Sequence, residues 1–108
     1  MLKYMTKDVK ISVAGEEVLV DIIGGMAGKN RIIKSIGSPT KTELWLRAYR
    51  DAEQVVDVYV TLFTDSFTLL PIDISLAEGQ LFTAGFKDDL TSFAEATYKL
   101  VIGYEEAG

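Results

Sequence analysis

Apolar side chains recur at every second position along most of this chain, the period of a strand with one face turned inward. Val9, Ile11 and Val13 alternate with polar residues, Ala14-Gly15-Glu16-Glu17 supplies a turn, and Val18, Val20 and Ile22 alternate again, which predicts an opening hairpin. A second hairpin is predicted where Val56, Val58, Val60 and Leu62 run up to Asp65-Ser66 and Phe67, Leu69, Leu70, Ile72 and Ile74 follow. Between these lie a short strand over Arg31 to Ile36 and another over Thr42 to Arg50. Later come Gln80 to Phe86 and a final run with Ala94, Ala96, Tyr98, Leu100 and Ile102 on one face.

The breaks are equally regular. Gly24 to Asn30 holds three of the chain's glycines and reads as the most flexible loop, and Gly37 to Lys41 contains Pro39, which does not suit a central strand. Asp51-Ala52-Glu53-Gln54, Ala77-Glu78-Gly79 and Lys87-Asp88-Asp89 are turns, and Asp89 caps at most one helical turn over Leu90 to Ala94. Seven to eight short strands without an amphipathic helix predict an all-β chain, an antiparallel β-sandwich with Ig-like or jelly-roll connectivity, as one domain over residues 1–108. A hydrophobic fraction of 48% in 108 residues is enough for one core without a disulfide or structural metal.

Charge and composition narrow the function. The chain has no His and no Cys, which removes the commonest general base, the thiol nucleophile and the soft metal ligands. A net charge of −5 with scattered basic residues speaks against nucleic acid, since phosphate neutralisation needs clustered Lys and Arg. Lys29 to Lys34 is the densest basic segment, and it reads as a strand with a charged start. No apolar run is long enough to span a bilayer and the first residues lack the core of a signal peptide, so a soluble protein, cytoplasmic or borne in a virion, without membrane insertion is expected.

The motifs that suggest chemistry fall short of it. Gly28-Lys29 resembles the end of a phosphate-binding loop, but Ile23 stands where that loop needs Gly and Asn30 where it needs a hydroxyl. Asp65, Asp73, Glu78 and Asp88-Asp89 are not spaced as a calcium loop, and the pairs Glu16-Glu17 and Asp88-Asp89 point apart in an extended chain. No cofactor, metal site or catalytic residue is expected, and the chain is not read as an enzyme.

Trp45, Arg47 and Tyr49 share one face of their strand, with Tyr59, Asp57 and Thr61 on a neighbour, which could form a sugar-stacking platform. The competing expectation makes Trp45 the core tryptophan of the sandwich, although Leu44, Leu46 and Ala48 claim the interior from the opposite face. Large groups on both faces imply a second cover from another subunit. The expected function is therefore a non-enzymatic structural, assembly or attachment protein, a homo-oligomer or part of a larger protein assembly. In general architecture, though in no motif, it resembles the small β-domains of bacteriophage virions such as capsid decoration, tail or fibre-associated proteins. The interface candidates are Trp45, Tyr49, Tyr59 and Phe63, with the loops around Met26 and Phe86; a carbohydrate-binding module using the exposed aromatics, with a glycan as partner, is the alternative.

Overall fold

The alternating runs become eight antiparallel strands in two four-stranded sheets packed face to face. The computed structural model describes residues 2–13, 15–39, 44–60, 67–88 and 96–107. The strands are β1 (Leu2–Ile11), β2 (Glu17–Gly24), β3 (Asn30–Pro39), β4 (Leu44–Arg50), β5 (Glu53–Tyr59), β6 (Phe67–Leu76), β7 (Leu81–Asp88) and β8 (Ala96–Ala107). The first sheet runs β1-β8-β3-β6 and the second β2-β7-β4-β5.

That order is the jelly-roll one, and it replaces the immunoglobulin-type alternative. Strands pair as a long hairpin folded over on itself, β4 with β5 at the tip, then β3 with β6, β2 with β7 and β1 with β8, successive pairs alternating between sheets. Both predicted hairpins are therefore corrected. β1 and β2 lie in different sheets, as do β5 and β6. Alternation tells which face of a strand turns inward and is silent about its neighbour. As edges of facing sheets, β5 and β6 turn Val56 and Val58 toward the interior from one side and Leu70, Ile72 and Ile74 from the other. Pro71, which has no N–H to give, is tolerated because β6 has a neighbour on one side alone, at a register shift opposite Ile33 to Ser35.

Among the described residues the one sequential hairpin is β4-β5, turning at Asp51-Ala52. Asp51 takes φ 52°, a conformation that Asp and Asn accept more readily than other side chains. It is tied down from both ends, its N–H donating to the Leu81 carbonyl at 2.8 Å and its Oδ1 accepting the Leu81 N–H at 3.0 Å.

Strand ends differ from expectation where the alternation fades. β1 starts at Leu2, β8 runs to Ala107, and β3 continues through Pro39. Pro39 fits there because β8 stops pairing with β3 at Gly37, so beyond that point β3 has β6 alone. The expected flexible loop after Gly24 is instead a short turn pinned in place. Gly25 donates its N–H to the Gln80 carbonyl at 2.7 Å, and a Cβ on Gly25 would sit 1.7 Å from the Ala77 carbonyl oxygen. The cap expected at Asp89 lies outside the described residues.

The core is built from Val9 and Ile11, Ile33 and Ile36, Leu44, Leu46 and Ala48, Phe82, Ala84 and Phe86, Leu100 and Ile102, while Val13, which continues the first alternation, is 59% exposed. Phe82 and Phe86 are fully buried, and Phe86 meets Tyr98 edge to face with centroids 5.7 Å apart. The placement of Phe86 at an interface is thus corrected; its alternate-residue spacing from Phe82 and Ala84 puts it on the inner face of β7.

Candidate functional site

The outer face of the second sheet brings aromatic and charged side chains together. Trp45 is not the core tryptophan: Leu44, Leu46 and Ala48 take the interior, at 1%, 0% and 0% exposure, and Trp45, Arg47 and Tyr49 project outward and are half-buried. Three ladder rows fix what stands beside them. The first is Glu17, Lys87, Trp45, Tyr59; the second Leu19, Gly85, Arg47, Asp57; the third Asp21, Thr83, Tyr49, Gln54.

Trp45 and Tyr59 are direct cross-strand neighbours, their rings 4.8 Å apart and tilted by 33°. The Arg47 guanidinium carbon lies 5.9 Å from the Trp45 ring centroid, within range of a cation–π contact. Arg47 also holds two carboxylates, Asp57 through Nε at 3.1 Å and Glu17 through Nη1 at 2.9 Å. To reach Glu17 it crosses β7 beside Gly85, where no side chain blocks the way. Glu17 accepts a second hydrogen bond from the Tyr49 hydroxyl at 3.3 Å, and that hydroxyl accepts one from Gln54 Nε2 at 3.1 Å. The hydrogen bond to Glu17, with Asp57 beside it, holds the Arg47 guanidinium above its ordinary pKa. Five polar side chains thus form one network around the aromatic pair. The arrangement can bind by stacking and desolvation.

Of the interface candidates, the structure brings Trp45, Tyr49 and Tyr59 together. Met26 is 48% exposed but belongs to the turn after Gly24, at the end of β2 opposite the row of Glu17 and Trp45. Phe86 is in the core, and Phe63 and Thr61 lie outside the described residues. Sequence reasoning saw Glu17 as half of a carboxylate pair; the two side chains do part, Glu16 accepting the Ser12 N–H at 3.2 Å and Glu17 joining the sheet face. Gln54 and Lys87 were not singled out, because their place depends on strand register.

A second charged cluster closes one end of the sandwich. Glu106 receives Lys3 at 3.3 Å, Lys29 at 3.1 Å and Arg31 at 2.8 Å, and Arg31 also donates to the Gly24 carbonyl in the other sheet. Hydrogen bonds from Lys29, then Arg31, and more weakly Lys3 lower the Glu106 carboxyl to about 2. No local motif announces this cluster, since Lys3 and Glu106 are 103 positions apart. At the other end Asp88 is 2% exposed and accepts the Gly15 N–H at 3.1 Å. Burial, and then the charge of Asp88, raises the Tyr98 hydroxyl pKa. Asp73 and Glu78 stand exposed, Asp65 and Asp89 fall outside the described residues, and among the described residues no three acids gather to hold a metal ion. Among them too, no helix is long and apolar enough to cross a membrane.

Comparison of the chain with protein-family models, with curated proteins and with solved structures gives no match. The jelly-roll order is shared by capsid and lectin domains alike, so fold alone does not choose a function and the side chains of the site must.

Proposed function

We propose that this chain is a non-enzymatic assembly or attachment protein, a homo-oligomer that works through protein contacts made by the outer face of its second sheet. The observation that carries the reading is the Trp45–Tyr59 pair beside Arg47 and Tyr49 on a face whose polar groups are bonded to one another. Trp, Tyr and Arg are the residues that dominate binding energy at protein interfaces. Polar groups that are already paired lose less on being covered than groups that must give up water for nothing. A small component of a larger particle, of the kind found in phage virions, is the setting in which such a face would act.

Light-scattering molar mass across a dilution series tests this. The expected result is a mass above that of one chain at high concentration, falling on dilution and lost in Trp45→Ala. One chain's mass at every concentration would refute it.

The glycan reading has one observation in its favour, an aromatic pair rimmed by Gln54, Asp57 and Arg47. Against it, Arg47, Glu17 and Tyr49 are engaged with one another, so a sugar hydroxyl would have to displace an existing bond. The chain has a single Trp. Oligosaccharide titrations followed by its fluorescence therefore report on this face directly, and no response is expected from any sugar.

A further inference from the structure

The outer face of the second sheet is self-complementary in one orientation, and that orientation names its partner. We infer that the face pairs with the same face of a second copy of this chain about a two-fold axis parallel to the strands and running between β7 and β4. The inference rests on the protein-contact reading given above and adds to it the partner, the symmetry and the contacts.

A two-fold along the strands keeps each ladder row at its own level and reverses the strand order. β7 of one copy then faces β4 of the other, and β2 faces β5. The first row, Glu17, Lys87, Trp45, Tyr59, meets Tyr59, Trp45, Lys87, Glu17; the second, Leu19, Gly85, Arg47, Asp57, meets Asp57, Arg47, Gly85, Leu19. The third, Asp21, Thr83, Tyr49, Gln54, meets Gln54, Tyr49, Thr83, Asp21. In the register of the rows no charged residue stands opposite one of like charge. Lys87, whose ammonium donates to the Gly15 and Asp88 carbonyls in the single chain, stands opposite Trp45 of the second copy, and on pairing its ammonium turns to the ring face that attracts it. Arg47 faces Gly85, where the second copy's own Arg47 passes over on its way to Glu17, so the two guanidinium groups meet near the axis, each already held between Glu17 and Asp57 of its own chain. Carboxylates face neutral groups throughout: Glu17 meets Tyr59, Asp21 meets Gln54 and Asp57 meets Leu19.

The other two-fold in the plane, perpendicular to the strands, fails on charge. It places Glu17 over Asp21 twice, Asp57 over Asp57 and Arg47 over Arg47, four like-charge contacts at the closest approach. Twisted sheets stacked face to face cross at about 30°, so the match is best near the axis and slips at the corners. The central pairs, Lys87 with Trp45 and Thr83 with Tyr49, therefore carry the specificity.

Size sets the strength. Four strands by three rows make about 400 Å² of flat sheet per copy. Two copies cover roughly 800 to 1,000 Å² in all, at the low end of specific interfaces, so the pair dissociates on dilution. An isologous contact closes on itself, and the limiting assembly through this face is a dimer.

Mixing two damaged chains tests the register. Lys87→Glu sets a carboxylate over the Trp45 ring face, and Trp45→Arg sets a cation opposite Lys87; each variant alone is expected to pair at least tenfold more weakly than wild type. In the mixed pair one contact becomes Glu against Arg and the other remains Lys against Trp. The mixture should therefore regain the mass of two chains at a concentration where each variant alone scatters as one. Circular dichroism melts establish that both variants are folded, and Thr83→Glu mixed with Tyr49→Lys provides an independent pair should Lys87→Glu disturb its bonds to the Gly15 and Asp88 carbonyls. A wild type that pairs, and is broken by Trp45→Ala, while neither mixture recovers overturns this register and leaves the protein-contact reading standing. A wild-type limiting mass above two chains overturns the two-fold. A wild type of one chain's mass throughout overturns both.

Discussion

The outer faces of the two sheets differ in how their large side chains are held. On the first sheet Leu2, Tyr4 and Leu69 are 46%, 57% and 46% exposed, and the rows between them are lined by Gly103, Ser35 and Gly37. Its ion pairs, Lys99 with Asp8 at 2.7 Å and Lys34 with Asp73 at 3.4 Å, are separate from one another. On the second sheet the aromatics are half-buried and joined through Arg47, Glu17 and Gln54 into one bonded network. An exposed apolar residue alone is ordinary on a protein surface. An array whose geometry is fixed before a partner arrives loses less entropy on binding, and this distinguishes the second face.

Substitutions should follow the same division. The largest effect belongs to the interior behind the second face: Phe86→Ala is expected to cost about 3 to 5 kcal/mol in a denaturant melt, because Phe86 is fully buried. Trp45→Ala, on the other side of the same sheet, should cost about 1 to 2 kcal/mol and leave a cooperative transition. Equal costs would return Trp45 to the core.

The glycines come next. A Cβ on Gly85 would stand 1.8 Å from the backbone oxygen of Val18, so Gly85→Ala must shift β2 against β7 and should destabilise by about 3 kcal/mol. A Cβ on Gly103 would meet the Ser35 hydroxyl at 2.4 Å and the Tyr4 ring at 2.8 Å. Both are side chains and Tyr4 is exposed, so Gly103→Ala should cost about 1 kcal/mol. The two melting temperatures, measured side by side, check this.

Arg47→Ala removes the hub of the second face. Its stability cost should stay below about 1 kcal/mol and shrink with added salt, as for other surface ion pairs. A cost independent of salt would mean that Arg47 acts through packing.

The smallest effect is one of pH, at the end cluster the two sheets share. The Glu106 carboxyl titrates at about 2 in the folded chain against an ordinary 4.5. The unfolded chain therefore takes up the proton first as pH falls, so the stabilisation is complete above about pH 4.5 and disappears by about pH 2. The melting-temperature gap between wild type and Glu106→Gln should be present at pH 6 and narrow steadily between pH 4.5 and 2.

Much of this fold could be read from the alternation, and its limits are physical. Eight strands and their inward faces follow from period two, because each strand buries one side. Partner choice does not: β1-β2 and β5-β6 look like hairpins, since nothing local tells a strand whether its successor lies beside it or across the core. The site was half legible. Trp45, Arg47 and Tyr49 share a face by spacing alone, and Tyr59 reaches them through the β4-β5 turn that Asp51 signals. Glu17 and Lys87 enter through ladders closed by distant segments, and Phe86 was misplaced because its position beside a predicted turn concealed its inward parity.

Because Trp45 is the single tryptophan, acrylamide quenching of its fluorescence, followed as protein concentration rises, reads the second face without interference. If that face is where copies meet, quenching should fall and emission shift to shorter wavelength over the same concentrations at which the scattered mass doubles. Quenching that stays constant while the mass doubles would place the contact elsewhere on the molecule and contradict the account.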